Sequence, residues 1–303
     1  TGNTVEAFLE AHETTIVVSA LIGALLIGVL WEALAPRRPE AGSLVYRWVN
    51  NLSLTVLNHI VVYWTGAALA IMTAWWAQSE GFGLLQHLDL GLSGAFLVTL
   101  LVMEFLAYVL HQVVHRVPIL WRLHAMHHSD VEVDFTTTYR HHPLENVVML
   151  AVGAPVVVLL GAPVAAMVLY QFLRVSVNVL SHSNIRVPEN VERWLRYLVV
   201  TPDFHHLHHC SDRRFTDSNY SAAVPWFDYL FGTATRKPYA EYATMELGLE
   251  RFRDPIDARI DQVLLMPFRG RRYASPPSVG SGPTADGDAA AAQSIGNHTS
   301  KPA

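Results

Sequence analysis

Nine histidines between residues 111 and 209 carry the chemistry that can be read in this chain. His111 and His115 read HxxxH, His124, His127 and His128 read HxxHH, and His205, His208 and His209 repeat that spacing. His182 stands alone between them. Residues three and four apart share a helix face, so each cluster is expected to aim its imidazoles at one point. Neutral imidazole is the commonest side-chain ligand for first-row transition metals. One ion with four or five ligands would not use nine histidines, whereas two ions would. The spacing therefore predicts an all-histidine dimetal site. A chance run of surface histidines is one competing reading. A catalytically inert zinc or structural site is another, because zinc stands high in the affinity series.

The rest of the composition says where such a site sits. Of 303 residues, 51% are hydrophobic and only 16% are charged, with a formal net charge of −5. That is poor in charge for a water-soluble chain. No basic stripe with interleaved aromatics is present, so nucleic acid is not an expected partner. The single cysteine, Cys210, excludes an internal disulfide, a cysteine-based zinc finger and an iron–sulfur cluster. Neither GxGxxG after a strand nor GxxxxGK[ST] occurs, so the chain carries no nucleotide or flavin fingerprint.

Three apolar runs of bilayer-spanning length precede the first histidines: Thr15 to Leu34, Leu52 to Trp76 and Leu92 to Leu110. The first follows Glu6, Glu10 and Glu13 rather than positive charge and is flanked by Arg37 and Arg38, which reads as a span and not a signal peptide. No Lys or Arg occurs between residues 48 and 115. By the positive-inside rule the Arg37/Arg38/Arg47 loop is cytoplasmic, the N-terminus outside, and the His111 end of the third span inside. The stretch from Val147 to Leu180 has about 14 apolar residues before a Gly161-Ala162-Pro163 break, roughly 21 Å of helix, then a second run containing Arg174. The clusters on either side must meet, so the chain must return to the face it left. A helical hairpin, fully crossing or re-entrant, is expected there. The resulting expectation is an all-α, multi-span membrane protein with a cytoplasmic helical cap carrying the histidines. Residues 1–14 form a short extracytoplasmic N-terminus and 15–110 three transmembrane helices. Residues 111–272 form the catalytic domain including the membrane hairpin at 147–180, and 273–303 a disordered Pro/Gly/Ser/Ala-rich tail.

Three stretches together resemble a known family: HQVVHRVPILWRLHAMHHSD (His111 to Asp130), TTTYRHHPLE (Thr136 to Glu145) and TPDFHHLHHCSDRRFTDSNYS (Thr201 to Ser221). They are similar to the fatty acid hydroxylase/sterol desaturase superfamily, and the likeness extends through WFDYLFGT and LLMPFR and back to RWVNN, about residues 47 to 270. The family usually has Arg after the first histidine, where this chain has Gln112. The resemblance implies an integral-membrane, non-haem di-iron enzyme that uses O2 to hydroxylate or desaturate a lipid C–H bond. It implies His111, His115, His124, His127, His128, His182, His205, His208 and His209 as ligands of two Fe ions, and a ferredoxin-like or cytochrome b5-like electron donor. The chemistry agrees, because O2 activation needs a metal that changes oxidation state and zinc does not. The lipid substrate would enter from the bilayer. Two other readings stay open: a non-catalytic membrane metal-binding or transport protein, and aldehyde deformylation as in the wax-forming relatives.

Three residues are candidates for orienting ligands: His142, Glu145 and Asn178. Arg140-x-His142-Pro143-x-Glu145 is similar to a motif of the family's bacterial branch, and His142 reads as a tenth ligand or, preferably, an outer hydrogen-bond partner. Pro143 disfavours helix at His142 and places it on an extended segment that closes the site. His141 and His206 fall off the box spacing and read as solvent-side neighbours. His59 reads as a buried histidine or a cavity wall. Glu104, inside the third span, has Arg174 as a candidate partner.

Overall fold

The computed structural model of the protein describes residues 2–39, 42–65 and 69–269. Those residues are helical with no strand; only two isolated bridges, Pro36 to Ile185 and Cys210 to Leu247, pair extended backbone. The helices run α1 (Gly2–Ala11), α2 (Glu13–Leu34), α3 (Leu44–Thr65), α4 (Leu69–Ser79), α5 (Gly91–Arg116), α6 (Pro118–His128), α7 (Pro143–Leu160), α8 (Val164–His182), α9 (Glu189–Leu195) and α10 (Pro202–His208). Among the described residues, four helices, α2, α5, α7 and α8, are long and apolar enough to cross a membrane. The tail expected at 273–303 lies outside the described residues.

Helix α8 is the axis of the bundle. Helices α1, α2, α4, α5 and α10 all pack on it. Leu100 of α5, Val157 and Leu160 of α7, and Val164, Met167 and Val168 of α8 form one buried apolar core. Leu26, Leu30 and Leu34 of α2, Leu97 of α5 and Leu159 of α7 point outward and are exposed. An apolar outer surface of this kind is one that hydrocarbon covers.

The described residues of the second expected span, Leu52 to Trp76, lie in α3 and α4, and neither helix is among the four membrane-length apolar helices. The reason lies along α3, where Arg47, Asn50, Asn51 and Asn58 turn inward and are buried against polar partners. Helix α3 is therefore amphipathic around a polar core and not an apolar rod. The stretch expected as a hairpin consists of α7 and α8, of 18 and 19 residues, roughly 27 Å or more each. Its tip is Gly161, at φ 60°, where a Cβ would lie 2.6 Å from the Phe82 carbonyl. Gly83 faces it, and only two glycines allow the loop after α4 to press backbone to backbone on the tip.

At the opposite end a buried ionic network ties α3 to the loop after α6. Arg47 pairs with Asp130 at 3.1 Å and Asp134 at 3.0 Å, and Asn51 donates to Asp130 at 3.0 Å. Arg140, 2% exposed, donates to Asn51 Oδ1, Ser129 Oγ and the Met126 carbonyl of α6. Burial alone would raise the Asp130 pKa, but Arg47 and Arg140 outweigh it and hold the carboxylate well below the usual range. The RWVNN stretch thus buttresses the second histidine box from behind. Removing one partner from such a network leaves an uncompensated buried charge. Arg140→Met is expected to destabilise the protein by about 3–5 kcal/mol, read as a lowered unfolding midpoint in detergent. An unchanged midpoint would show that the network is dispensable.

Candidate metal centre

Sequence punctuation brings the boxes together. Val117 precedes Pro118 and adopts an extended conformation, which ends α5, while Pro118 opens α6 at its first turn. The chain reverses there, and α6 lays its histidines against those at the end of α5. Thr201 caps α10 through the Phe204 N–H, and Pro202 opens it, setting the third box beside the end of α8.

The nine histidines fall into two groups, His111/His115/His124/His128/His208 and His127/His182/His205/His209, with the ligand atoms of each group within 4.8 Å of one another. The groups adjoin: the His128 and His209 rings stack at 4.6 Å. Each HxxHH box is split between them, contrary to the expectation that a box converges on one point. His124 and His128 go to one group and His127 to the other; His205 and His209 go together and His208 apart. Adjacent residues on a helix project about 100° apart, so His127 and His128 lie on either side of His124 and serve different centres.

Ring orientation shows what the groups are built for. In the five-histidine group four of the Nδ1 atoms face outward to fixed partners. His111 Nδ1 is 2.7 Å from the Tyr220 carbonyl and His208 Nδ1 2.7 Å from the Ser218 carbonyl. His124 Nδ1 lies 2.7 Å from Glu145 Oε1, and His115 Nδ1 3.2 Å from Asp217. Each of these partners accepts, so the proton sits on Nδ1 and Nε2 presents a lone pair. The Nε2 atoms meet inside: His124 is 3.1 Å from His111 and 3.2 Å from His128. Nε2 of His115 and of His208 is buried without a partner. In the four-histidine group Nε2 of His182 lies 3.3 Å from His127 and 2.9 Å from His205, which is 3.2 Å from His209. In the five-histidine group, where acceptors hold the protons on Nδ1, converging lone pairs at these distances repel unless a cation lies among them. The donor set fits a metal in each group. Burial, and then neighbouring imidazoles, push His127, His128, His205 and His209 well below the ordinary histidine range, and burial pushes His208 down to about 3. All stay neutral, as ligation requires.

The orienting residues are distributed otherwise than the sequence implies. Glu145, in the first turn of α7, meets His124, as read. Asn178 meets His182, but through its backbone carbonyl, 2.7 Å from His182 Nδ1, a contact any residue type would supply. His142 is not brought to either group: its Nδ1 accepts from the Leu144 N–H and caps α7, and its ring faces Phe268 at 5.9 Å. Its neighbour His141 goes inward instead, stacked on His127 at 4.2 Å and 3.2 Å from Glu145. His206 is not solvent-side either; it is fully buried with Nε2 2.8 Å from the His182 carbonyl. His59 lies exposed on α3. Histidine spacing does not point to Asp217 or to the Ser218 and Tyr220 carbonyls, although all three belong to the SDRRFTDSNYS stretch that continues the third box.

Above the histidines a cavity of about 350 Å³ opens between α5, α7 and α8. Met103, Leu106, Leu110 and Met149 form apolar wall, and His111, His124, His127, His182 and His205 form its inner end.

Metal analysis of purified protein is expected to approach two ions per chain. His142→Ala should retain both and lose about 1 kcal/mol of stability with its cap. Glu145→Gln should weaken metal retention about 10–100-fold. A full metal complement with unaltered retention in Glu145→Gln would refute the orienting role. The pH dependence has a definite sign. The unfolded chain takes up protons near pH 6.5, which the buried imidazoles refuse, so stability is complete above about 6.5 and falls with acid below it. An unfolding midpoint that is flat or rising from pH 7 to 5 would contradict this.

Comparison with known proteins agrees with the geometry. The fatty acid hydroxylase family profile matches residues 96–233. Very-long-chain aldehyde decarbonylase GL1-5 of Oryza sativa subsp. indica is 32% identical over 160 residues, covering 49% of this chain and 25% of the relative. Ornithine lipid hydroxylase OlsE of Rhizobium tropici is 29% identical over 139 residues, covering 46% of this chain and 41% of the relative. Protein CER1-like 2 of Arabidopsis thaliana is 30% identical over 176 residues, covering 54% and 28%. The matched stretches thus span well under half of these relatives' own length. No solved structure matches. The profile match over residues 96–233, these relatives and the two histidine groups under membrane-length helices make the chain similar to the fatty acid hydroxylase superfamily.

Proposed function

We propose that the protein is a membrane-bound non-haem di-iron oxygenase that uses O2 to hydroxylate or desaturate a C–H bond of a lipid. The observation that carries this reading is the cavity: it lies between membrane-length helices, Met103, Leu106, Leu110 and Met149 give it an apolar stretch of wall, and its inner end is histidine from both groups. His111, His115, His124, His128 and His208 would hold one iron, and His127, His182, His205 and His209 the other. Iron bound there supplies the change of oxidation state that O2 activation requires and zinc lacks. Met103, Leu106, Leu110 and Met149 hold an alkyl chain and keep water from the reacting end. Glu145 and the Tyr220 and Ser218 carbonyls keep the protons on the outer nitrogens, so the ligand atoms stay free.

The electrons come from an external donor of ferredoxin-like or cytochrome b5-like type, since the chain has no flavin or iron–sulfur motif of its own. The Arg-rich loops around the boxes favour a cytoplasmic catalytic face, with the N-terminus outside. One second reading has a specific observation behind it: relatives named as very-long-chain aldehyde decarbonylases match about half of this chain, which favours removal of one carbon from a long-chain aldehyde.

Cells expressing the protein with iron and a donor system under labelled O2 are expected to accumulate a lipid that carries the label or has lost two hydrogens. His127→Ala/His208→Ala, one ligand lost from each group, should abolish it. A hydrocarbon one carbon shorter than its aldehyde precursor would select the second reading, and an unchanged lipid profile would overturn both. A reporter fused after Pro238 is expected to read as cytoplasmic; the opposite signal would reverse the assigned orientation.

A further inference from the structure

Arg174 lies in the middle of α8, on the wall of the cavity. Its Nη1 donates to Glu104 Oε1 at 3.4 Å and to the Tyr170 hydroxyl at 3.0 Å. Tyr170 donates to the same carboxylate oxygen at 3.1 Å. The other oxygen of Glu104 accepts from the Ala223 and Val224 N–H groups at 2.8 and 3.1 Å. Glu104 is 1% exposed and has no capacity left for the rest of the guanidinium. The Arg174 side chain is 31% exposed, and its Nε and Nη2 have no acceptor among the described residues. One turn closer to His182, Asn178 lines the same wall, and its side-chain amide has no partner among the described residues either.

Unpaired donors beside an apolar chamber cost free energy unless the occupant brings an acceptor. The charge state decides which acceptor. Arg174 is already neutralised by Glu104, so an anion added to the pair would leave a net negative charge in a low-dielectric wall. A neutral oxygen meets the free N–H groups without that penalty. We infer that Arg174 is a recognition point for a neutral oxygen, a hydroxyl or an ester or amide carbonyl, carried by the lipid that fills the cavity. Arg174, Asn178 and His182 follow one another at four-residue intervals on one face of α8. The recognised oxygen is therefore held about 12 Å along the helix from His182, and this spacing selects which part of the lipid reaches the histidines. The inference rests on the cavity being the substrate chamber, but its test does not depend on turnover.

The test is displacement of a photo-crosslinkable alkyl diazirine from the full-length, metal-loaded protein in nanodiscs. The competitors are hexadecane, hexadecanol, methyl hexadecanoate and ionised hexadecanoate. Taken relative to Arg174→Met, so that membrane partitioning cancels, hexadecanol and the methyl ester are expected to gain about tenfold from Arg174. Hexadecane and hexadecanoate should gain nothing, with metal content equal in both proteins. A gain for hexadecanoate above the neutral competitors would overturn the inference, as would no gain for any of them, the result for a cavity wall that water alone satisfies. Should Arg174→Met lose all binding, Glu104→Gln/Arg174→Met removes both charges of the pair. Hexadecane binding retained with the oxygen preference lost would then support the inference, and any other pattern would overturn it. A selective lipid that is bound but never oxidised would refute the oxygenase reading and leave this one standing.

Discussion

Lone pairs of neutral imidazoles do not tolerate one another at 3 Å, and this repulsion governs the architecture. A ring that points a lone pair inward from Nε2 keeps its proton on Nδ1, and an acceptor facing Nδ1 fixes that choice. The fold supplies acceptors at fixed places. Tyr220 offers its carbonyl because Asp228, fully buried, accepts from the Tyr220 and Ser221 N–H groups at 2.9 and 2.7 Å and sets that loop. Ser218 does the same for His208, and α7 delivers Glu145 to His124. In the four-histidine group only His182 has such a partner on Nδ1; Nδ1 of His127, His205 and His209 is buried without one. Protein acceptors thus face Nδ1 of four rings in the first group and of one in the second.

Carboxylates within the long apolar helices serve the same end. Glu32 of α2 accepts from the Phe135 and Asn184 N–H groups at 3.0 and 2.8 Å, fixing the backbone on both sides of the histidine ensemble. Glu104 of α5 does likewise for Ala223 and Val224. Arg37 clamps Asp203 in the first turn of α10 at 2.9 and 3.0 Å. An ionisable group in an apolar helix is expensive, and here each one restrains a loop that would otherwise carry unpaired backbone.

The sequence made the clustered histidines legible because three- and four-residue spacing survives any detail of packing. It did not reveal how they divide, since that depends on which side of His124 each neighbour falls. The choice between His141 and His142 was also out of reach. Pro143 opens α7 and leaves the Leu144 N–H in need of an acceptor; His142 turns back to supply it, and the inward place passes to His141. The membrane helices were visible as apolar runs except around α3, where hydropathy averages over a buried polar face and an apolar one. The Glu104–Arg174 pair was legible because two lone charges in spans have few partners to choose from.

The boxes also share a position that spacing alone does not advertise. His115, His127 and His128, His182, and His208 all sit in the last turn of their helices, so α5, α6, α8 and α10 bring their C-terminal ends to one place. Each end carries roughly half a negative charge from its free carbonyls. A cluster of neutral imidazoles thus gains its negative potential from backbone dipoles. That potential carries no proton to lose and does not vary with pH, and a side-chain substitution that preserves the helices leaves it in place.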